Sequence, residues 1–144
     1  MKFTKPLIKG KFLKRYKRFF VDVKVNKHVI TSHCPNTGSM IGLLDKNNDA
    51  WVLKNDDPKR KLKYTLQILR TSKNIIGVNT HLANKLVQEG LQDNLFLEFK
   101  NVDKIESEKY YNKETRFDFL IQKNKKKNFI EVKNVTLIRD AKIS

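Results

Sequence analysis

Apolar and polar residues alternate with period two from Phe19 to Val25, with Phe19, Val21, Val23 and Val25 on one side and Phe20, Asp22 and Lys24 on the other. β-Branched residues in that pattern predict a strand. Asn26-Lys27 supplies a tight turn, and His28–His33 the returning strand. Pro35-Asn36-Thr37-Gly38 is turn chemistry, with Asn36 and Thr37 expected to bond backbone and Gly38 expected at positive φ. Trp51–Lys54 predicts a short strand, and Asn55-Asp56-Asp57-Pro58 breaks the chain. Leu62, Tyr64, Leu66 and Ile68 alternate again and predict a long strand to about residue 71, followed by a further strand over Asn74–Asn79. Five short strands separated by turns fit a small barrel or sandwich.

The period then changes. Leu82, Leu86 and Val87 follow helical spacing, with Asn79 or Thr80 as candidate N-cap and Gly90 as candidate left-handed C′ residue. Beyond it, Leu95–Phe99, Ile105–Tyr111, Arg116–Gln122 and Asn128–Ile138 read as strands with tight links. No Pro/Gly/Ser-rich spacer interrupts the chain, so two domains are expected without a flexible linker, one over residues 1–79 and one over 80–144.

Charge adds a partner to this outline. The 144 residues carry a net charge of +16, which repels itself in a compact chain and attracts a polyanion. Asp22 is the only acid among the first forty residues; the others gather later. That asymmetry suggests a basic binding half followed by a half whose acids do chemistry. With 39% hydrophobic residues a packed core is expected rather than wholesale disorder. The single cysteine, Cys34, excludes an internal disulfide framework and fits a reducing compartment. No apolar run approaches a spanning helix and the N-terminus has no apolar signal segment, so a soluble, cytoplasmic chain is expected.

Lys11 to Phe20 interleaves cations with rings. Cations neutralise phosphates and release counterions, and rings stack on unpaired bases. Lys14, Arg15, Tyr16, Lys17 and Arg18 are therefore candidate DNA contacts, and Lys59, Arg60 and Lys61 form a second cluster after a turn. The alternative for Phe12, Tyr16 and Phe19 is a core face with the cations solvated outside. His33 beside Cys34 does not make a zinc site, because four ligands at recognisable spacing are wanting. Nor is it a good nucleophile pair, since adjacent strand residues point to opposite faces.

Residues 116–133, RFDFLIQKNKKKNFIEVK, carry the candidate chemistry. Asp118 lies between Phe117 and Phe119, and Glu131 between Ile130 and Val132, so both carboxylates are expected on packed strands. Lys133, two residues on, would share a face with Glu131. Two carboxylates can hold a divalent cation, Mg²⁺ or Mn²⁺, through oxygen ligands, and the amine can position water. Acid, acid and amine at one point are what metal-assisted phosphodiester cleavage requires. Glu89 and Glu108 are further candidate ligands. A surface strand of alternating charges would give the same string.

KRYKRF at 14–19, HCPNTGSM at 33–40, KRKLKYTLQ at 59–67, VNTHLAN at 78–84, RFDF at 116–119 and IEVKNVTL at 130–137 run in order along almost the whole chain. In these strings the chain resembles the sugar fermentation stimulation protein A family of bacteria and archaea. The resemblance implies a mainly β, α+β chain: an OB-like five-stranded barrel that binds nucleic acid, then a PD-(D/E)xK nuclease-like α/β domain. It implies DNA binding without strong sequence preference and a role in regulating sugar (maltose) metabolism. It places Asp118, Glu131 and Lys133 on the nuclease-like acidic and lysine positions, and Glu89 where that fold often has an acid on its first helix. Family members continue beyond the VTL string with a long helix and further strands, so the nuclease-like domain is expected to be incomplete and the chain a fragment or truncated copy. A homodimer is one way to cover the sheet left open. The competing readings are a DNA-binding module whose acids are structural and a protein or membrane-surface binder using its charge non-specifically; membrane is not the expected partner.

Overall fold

A computed structural model describes residues 1–136, which form two compact units. The larger gathers Lys2–Thr80 with Val135 and Thr136. Its strands are β1 (Ile8–Tyr16), β2 (Phe20–Val25), β3 (His28–His33), β4 (Asp49–Lys54), β5 (Tyr64–Arg70) and β6 (Ile75–Gly77). They lie in the order β3-β2-β1-β4-β5-β6. A parallel pairing of β3 with β5 at His33↔Thr65 closes β1 to β5 into a five-stranded OB-like barrel.

The five ring strands are not the five that periodicity predicts. β1 is the added member, and β6 pairs only with the end of β5. Two features hide β1. Its outward positions Lys9, Lys11 and Lys14 make it read as a charged arm. Its alternation also slips at Leu13, where the register against β2 jumps from Phe12↔Val23 to Lys14↔Asp22. An extra residue of this kind bends the strand, as a small closed barrel requires. Gly10 permits the close approach of β1 to β2, since a Cβ there would lie 2.6 Å from the Lys24 carbonyl oxygen.

The barrel is filled by Phe12, Val21, Val23, Ala50, Val52, Leu66 and Leu69, with Cys34, Met40 and Leu43 from the β3–β4 connection and Val78 after β6. Each large side chain buried this way contributes about 1.5–3 kcal/mol. Burial pushes the Cys34 thiol above its usual pKa, so it is core, not a nucleophile. In the 35–38 turn the Gly38 N–H donates to Asn36 Oδ1 at 2.8 Å, and Asn36 Nδ2 donates to Thr136 Oγ1 at 2.8 Å. Gly38 does not adopt positive φ as expected; Met40 and Gly42 do.

The second unit spans His81–Asn134 together with Met1. It holds α1 (Ala83–Gln92) and the antiparallel sheet β7-β8-β9, of Lys104–Tyr110, Arg116–Lys123 and Lys126–Ile130. No parallel strand occurs in it among the described residues. A short 3₁₀ turn, Thr80–Leu82, leads into α1, and no side chain caps the helix; the hydroxyl of Thr80 donates to the Pro35 carbonyl instead. Gly90 is not the C′ residue. The helix runs on to Gln92, and Asn94 takes the left-handed position at φ 54°. The Leu95 N–H then bonds the Gly90 carbonyl and the Asn94 N–H the Leu91 carbonyl, which satisfies the last carbonyls of the helix. Gly90 is small because a Cβ there would meet the Phe96 ring at 2.8 Å.

Two expected strands differ. Leu97–Phe99 is a 3₁₀ turn, and β9 ends at Ile130, leaving Glu131–Lys133 outside regular structure. Residues 137 and 138 of the expected last strand lie outside the described residues. Leu91, Phe119 and Ile121 form the buried centre, packed by Val87, Phe99, Ile105 and Ile130.

Candidate functional site

Asp118 sits mid-strand on β8, half-buried. Both its oxygens are held: Asn84 Nδ2, from α1, donates to Oδ1 at 2.7 Å, and the Val132 N–H donates to Oδ2 at 2.7 Å. The second bond fixes residues 131–133 beside Asp118 although β9 has ended. Lys133 Nζ lies 2.5 Å from Glu131 Oε1. The backbone of residues 131–133 is thus held beside Asp118 by a side-chain-to-backbone bond rather than by strand pairing, and Lys133 lies near enough to feel the charge of both acids. Sequence reasoning passes over Asn84; an amide in the first turn of the helix, within the VNTHLAN string, is its only signal.

The hydrogen bond and negative charge of Glu131, with the charge of Asp118, raise the Lys133 pKa above its ordinary value. The amine is therefore protonated at neutral pH. Glu131 and Lys133 border a pocket of about 270 Å³ walled by Val87, Leu91, Phe96 and Phe99.

The donor set fits a hard divalent cation. Asp118 and Glu131 offer only oxygen, and the two hydrogen-bond donors to Asp118 are neutral, so among the described residues Lys133 is the cation whose charge it feels. The other two candidate ligands are engaged elsewhere. Glu108, at a left-handed φ of 53°, pairs with Arg116 at 3.0 Å. Glu89 pairs with the Met1 ammonium. Among the described residues no three of His, Cys, Asp and Glu gather as a ligand group.

On the barrel, the expected DNA contacts divide. Lys17 and Arg18 form the β1–β2 turn, both with left-handed φ, and Lys17 is exposed. Lys14 lies 5.3 Å from the Tyr16 ring centre and 3.7 Å from Asp22. Arg15 is structural: it donates to the carbonyls of Arg18, Gly38 and Asn36 at 2.7–2.8 Å, clamping the 36–38 turn. Of the rings, Phe12 is core, whereas Tyr16 stacks on Phe20 and Phe19 on His33, both partly exposed. Lys59, Arg60 and Lys61 lie in the β4–β5 connection, where Asp57 Oδ1 accepts the Lys59 N–H. Among the described residues no helix is long and apolar enough to cross a membrane.

The fold defines an OB-barrel protein with a second, α+β unit. Residues 13–78 match the family model of the SfsA N-terminal OB domain, and residues 81–143 that of the Sugar fermentation stimulation protein RE domain. The chain belongs to the sugar fermentation stimulation protein family. It is 63% identical over 142 residues to a sugar fermentation stimulation protein homolog of Pelagibacter ubique, covering 99% of this chain and 61% of that protein. A homolog from Caulobacter vibrioides is 43% identical over 136 residues, covering 93% of this chain and 57% of the relative. The chain thus spans about three fifths of the length of these relatives. Its fold is similar to that of Pyrococcus furiosus SfsA, solved in complex with Ca²⁺, with TM-score 0.73 and 24% identity, covering 91% of this chain and 55% of that one.

Proposed function

We propose that this chain binds DNA through the β1–β2 and β4–β5 loops of its barrel and holds a divalent cation, Mg²⁺ or Mn²⁺, at Asp118 and Glu131 for phosphodiester cleavage. The observation that carries the reading is the bond from the Val132 N–H to Asp118, which holds the backbone of residues 131–133 beside that carboxylate. The Ca²⁺ in complex with Pyrococcus furiosus SfsA supports a hard divalent cation. OB barrels bind oligonucleotides with these same two loops, and here they carry Lys17, Arg18, Lys59, Arg60 and Lys61. The family's link to sugar fermentation would then run through DNA.

When bound, the cation would polarise a phosphate oxygen and help supply hydroxide. The chain's own residues do the rest. Asn84 and the Val132 N–H hold Asp118 in one orientation. Lys133, protonated at neutral pH, would offer a positive charge to a phosphate bound beside Glu131. The test is nicking of supercoiled plasmid in Mg²⁺ or Mn²⁺. Wild type should cleave, and Lys133→Ala and Asp118→Asn should each cleave about 10²-fold more slowly or worse. Equal plasmid integrity for wild type and Lys133→Ala, with salt-sensitive DNA binding retained, would leave a binding module whose acids are structural.

A further inference from the structure

A second cationic feature lies at the other end of the barrel, away from the two loops just named. Lys11 of β1 and Lys24 of β2 are directly opposite in register, and Lys9 is two residues along the same strand. Like charges directly opposite on a sheet are destabilising unless something between them is negative. Asp49 at the start of β4 supplies one negative charge, pairing with Lys11 at 2.7 Å and Lys9 at 3.0 Å. Three ammonium groups thus face one carboxylate. Together with Asn26 of the β2–β3 turn and Asn47 before β4, they line a cleft of about 520 Å³.

The details suit one chemistry. Asp49 pins the two β1 lysines, so their positions are set in advance, and each keeps two of its three N–H donors. Lys24 is exposed and makes no ion pair among the described residues. Asn26 and Asn47 both hold left-handed φ, 52° and 72°, which asparagine tolerates, and their side-chain amides add neutral donors. The lining contains no aromatic residue, although the Lys9 ammonium also lies 5.3 Å from the Trp51 ring centre, and its charged groups suit a phosphate.

We infer that Lys9, Lys11 and Lys24, with Asn26 and Asn47, form a phosphate-binding cleft on the barrel. The site is independent of the DNA-binding loops and of the Asp118 centre, and its test does not require cleavage. The probe is inorganic pyrophosphate, titrated into the whole chain and followed by backbone amide shifts. The amides of Gly10, Asn26 and Asn47 should shift and saturate at millimolar probe. Lys24→Ala should weaken binding about fivefold, and Lys24→Glu should abolish it while leaving the remaining spectrum in place. A short DNA duplex that moves the same three amides identifies a phosphodiester backbone as the source of the phosphate; a duplex that leaves them still identifies a free phosphate. Shifts spread alike over every lysine-bearing loop, or unchanged in Lys24→Glu, overturn the cleft.

Discussion

The barrel and the second unit solve different problems with different materials. Between residues 2 and 80 there are 18 Lys or Arg and 5 Asp or Glu; between 81 and 134 there are 11 and 9. The barrel has a large buried core closed on itself by the β3–β5 pairing. The second unit has four buried hydrophobic side chains, Leu91, Phe119, Leu120 and Ile121, and an open three-stranded sheet. Three of the barrel's five acids, Asp22, Asp49 and Asp56, pair with lysines. In the second unit Asp118 makes no direct ion pair among the described residues, and its two hydrogen bonds come from the neutral Asn84 amide and Val132 N–H. Overall charge thus marks the surface that could attract a polyanion, whereas a carboxylate held by neutral donors, as Asp118 is, is found only from its local bonding.

The largest expected contrast is in packing. Phe12→Ala should destabilise the barrel by about 3–5 kcal/mol, read from urea unfolding. Phe119→Ala should fall at or below the low end of that range, because an open sheet relaxes around the lost ring more easily. The reverse order would show that closure does not make the barrel the better packed region. Next come the glycines. Gly10→Ala would drive a Cβ onto backbone and should cost about 1–3 kcal/mol. Gly90→Ala should be nearly neutral, since the gain in helix propensity, about 1 kcal/mol, offsets displacement of the Phe96 ring.

A third test separates the structural cation from the binding ones. Lys17→Ala and Arg18→Ala should each flatten the salt dependence of DNA affinity by about 0.9 in the log–log slope. Arg15→Ala should leave the slope unchanged and lower stability by about 1–2 kcal/mol, because three carbonyls lose their donor. If Arg15→Ala instead flattens the slope like its neighbours, the clamp is not its role. The smallest effect is at Asp49. Pairing with the ammonium groups of Lys11 and then Lys9 lowers its pKa from 3.8 to about 2. A depressed carboxylate stabilises the fold above its ordinary pKa and loses that contribution as pH falls toward the depressed value. Asp49→Asn should therefore melt below wild type at neutral pH, and the difference should close between about pH 4 and pH 2; a gap constant across that range would show that the pairing is energetically idle.

Period-two strands are legible in the sequence where apolar residues mark one face. His28–His33 reads with the bounds it has, and Arg116–Gln122 to within a residue. β1 is hidden, because its outward lysines and bulge at Leu13 break the pattern. Both ends of α1 are misjudged, because Thr80 finds the Pro35 carbonyl and Asn94 takes the turn expected of Gly90. At the candidate site, the spacing of Asp118, Glu131 and Lys133 is legible, but the device that unites them is not. That device is a backbone N–H bonding a side chain, and no residue type announces it. Glu108 and Arg15 show the converse: residue type suggests a ligand and a DNA contact, and local ion pairing and hydrogen bonding give each another partner.

The most direct test of the Asp118 centre is Mn²⁺ titration monitored by amide NMR. The amides of Phe119, Val132 and Lys133 should broaden first, and a double variant Asp118→Asn/Glu131→Gln should lose that broadening while keeping its fold. Broadening that gathers at other acids and leaves residues 131–133 sharp would contradict a cation site there.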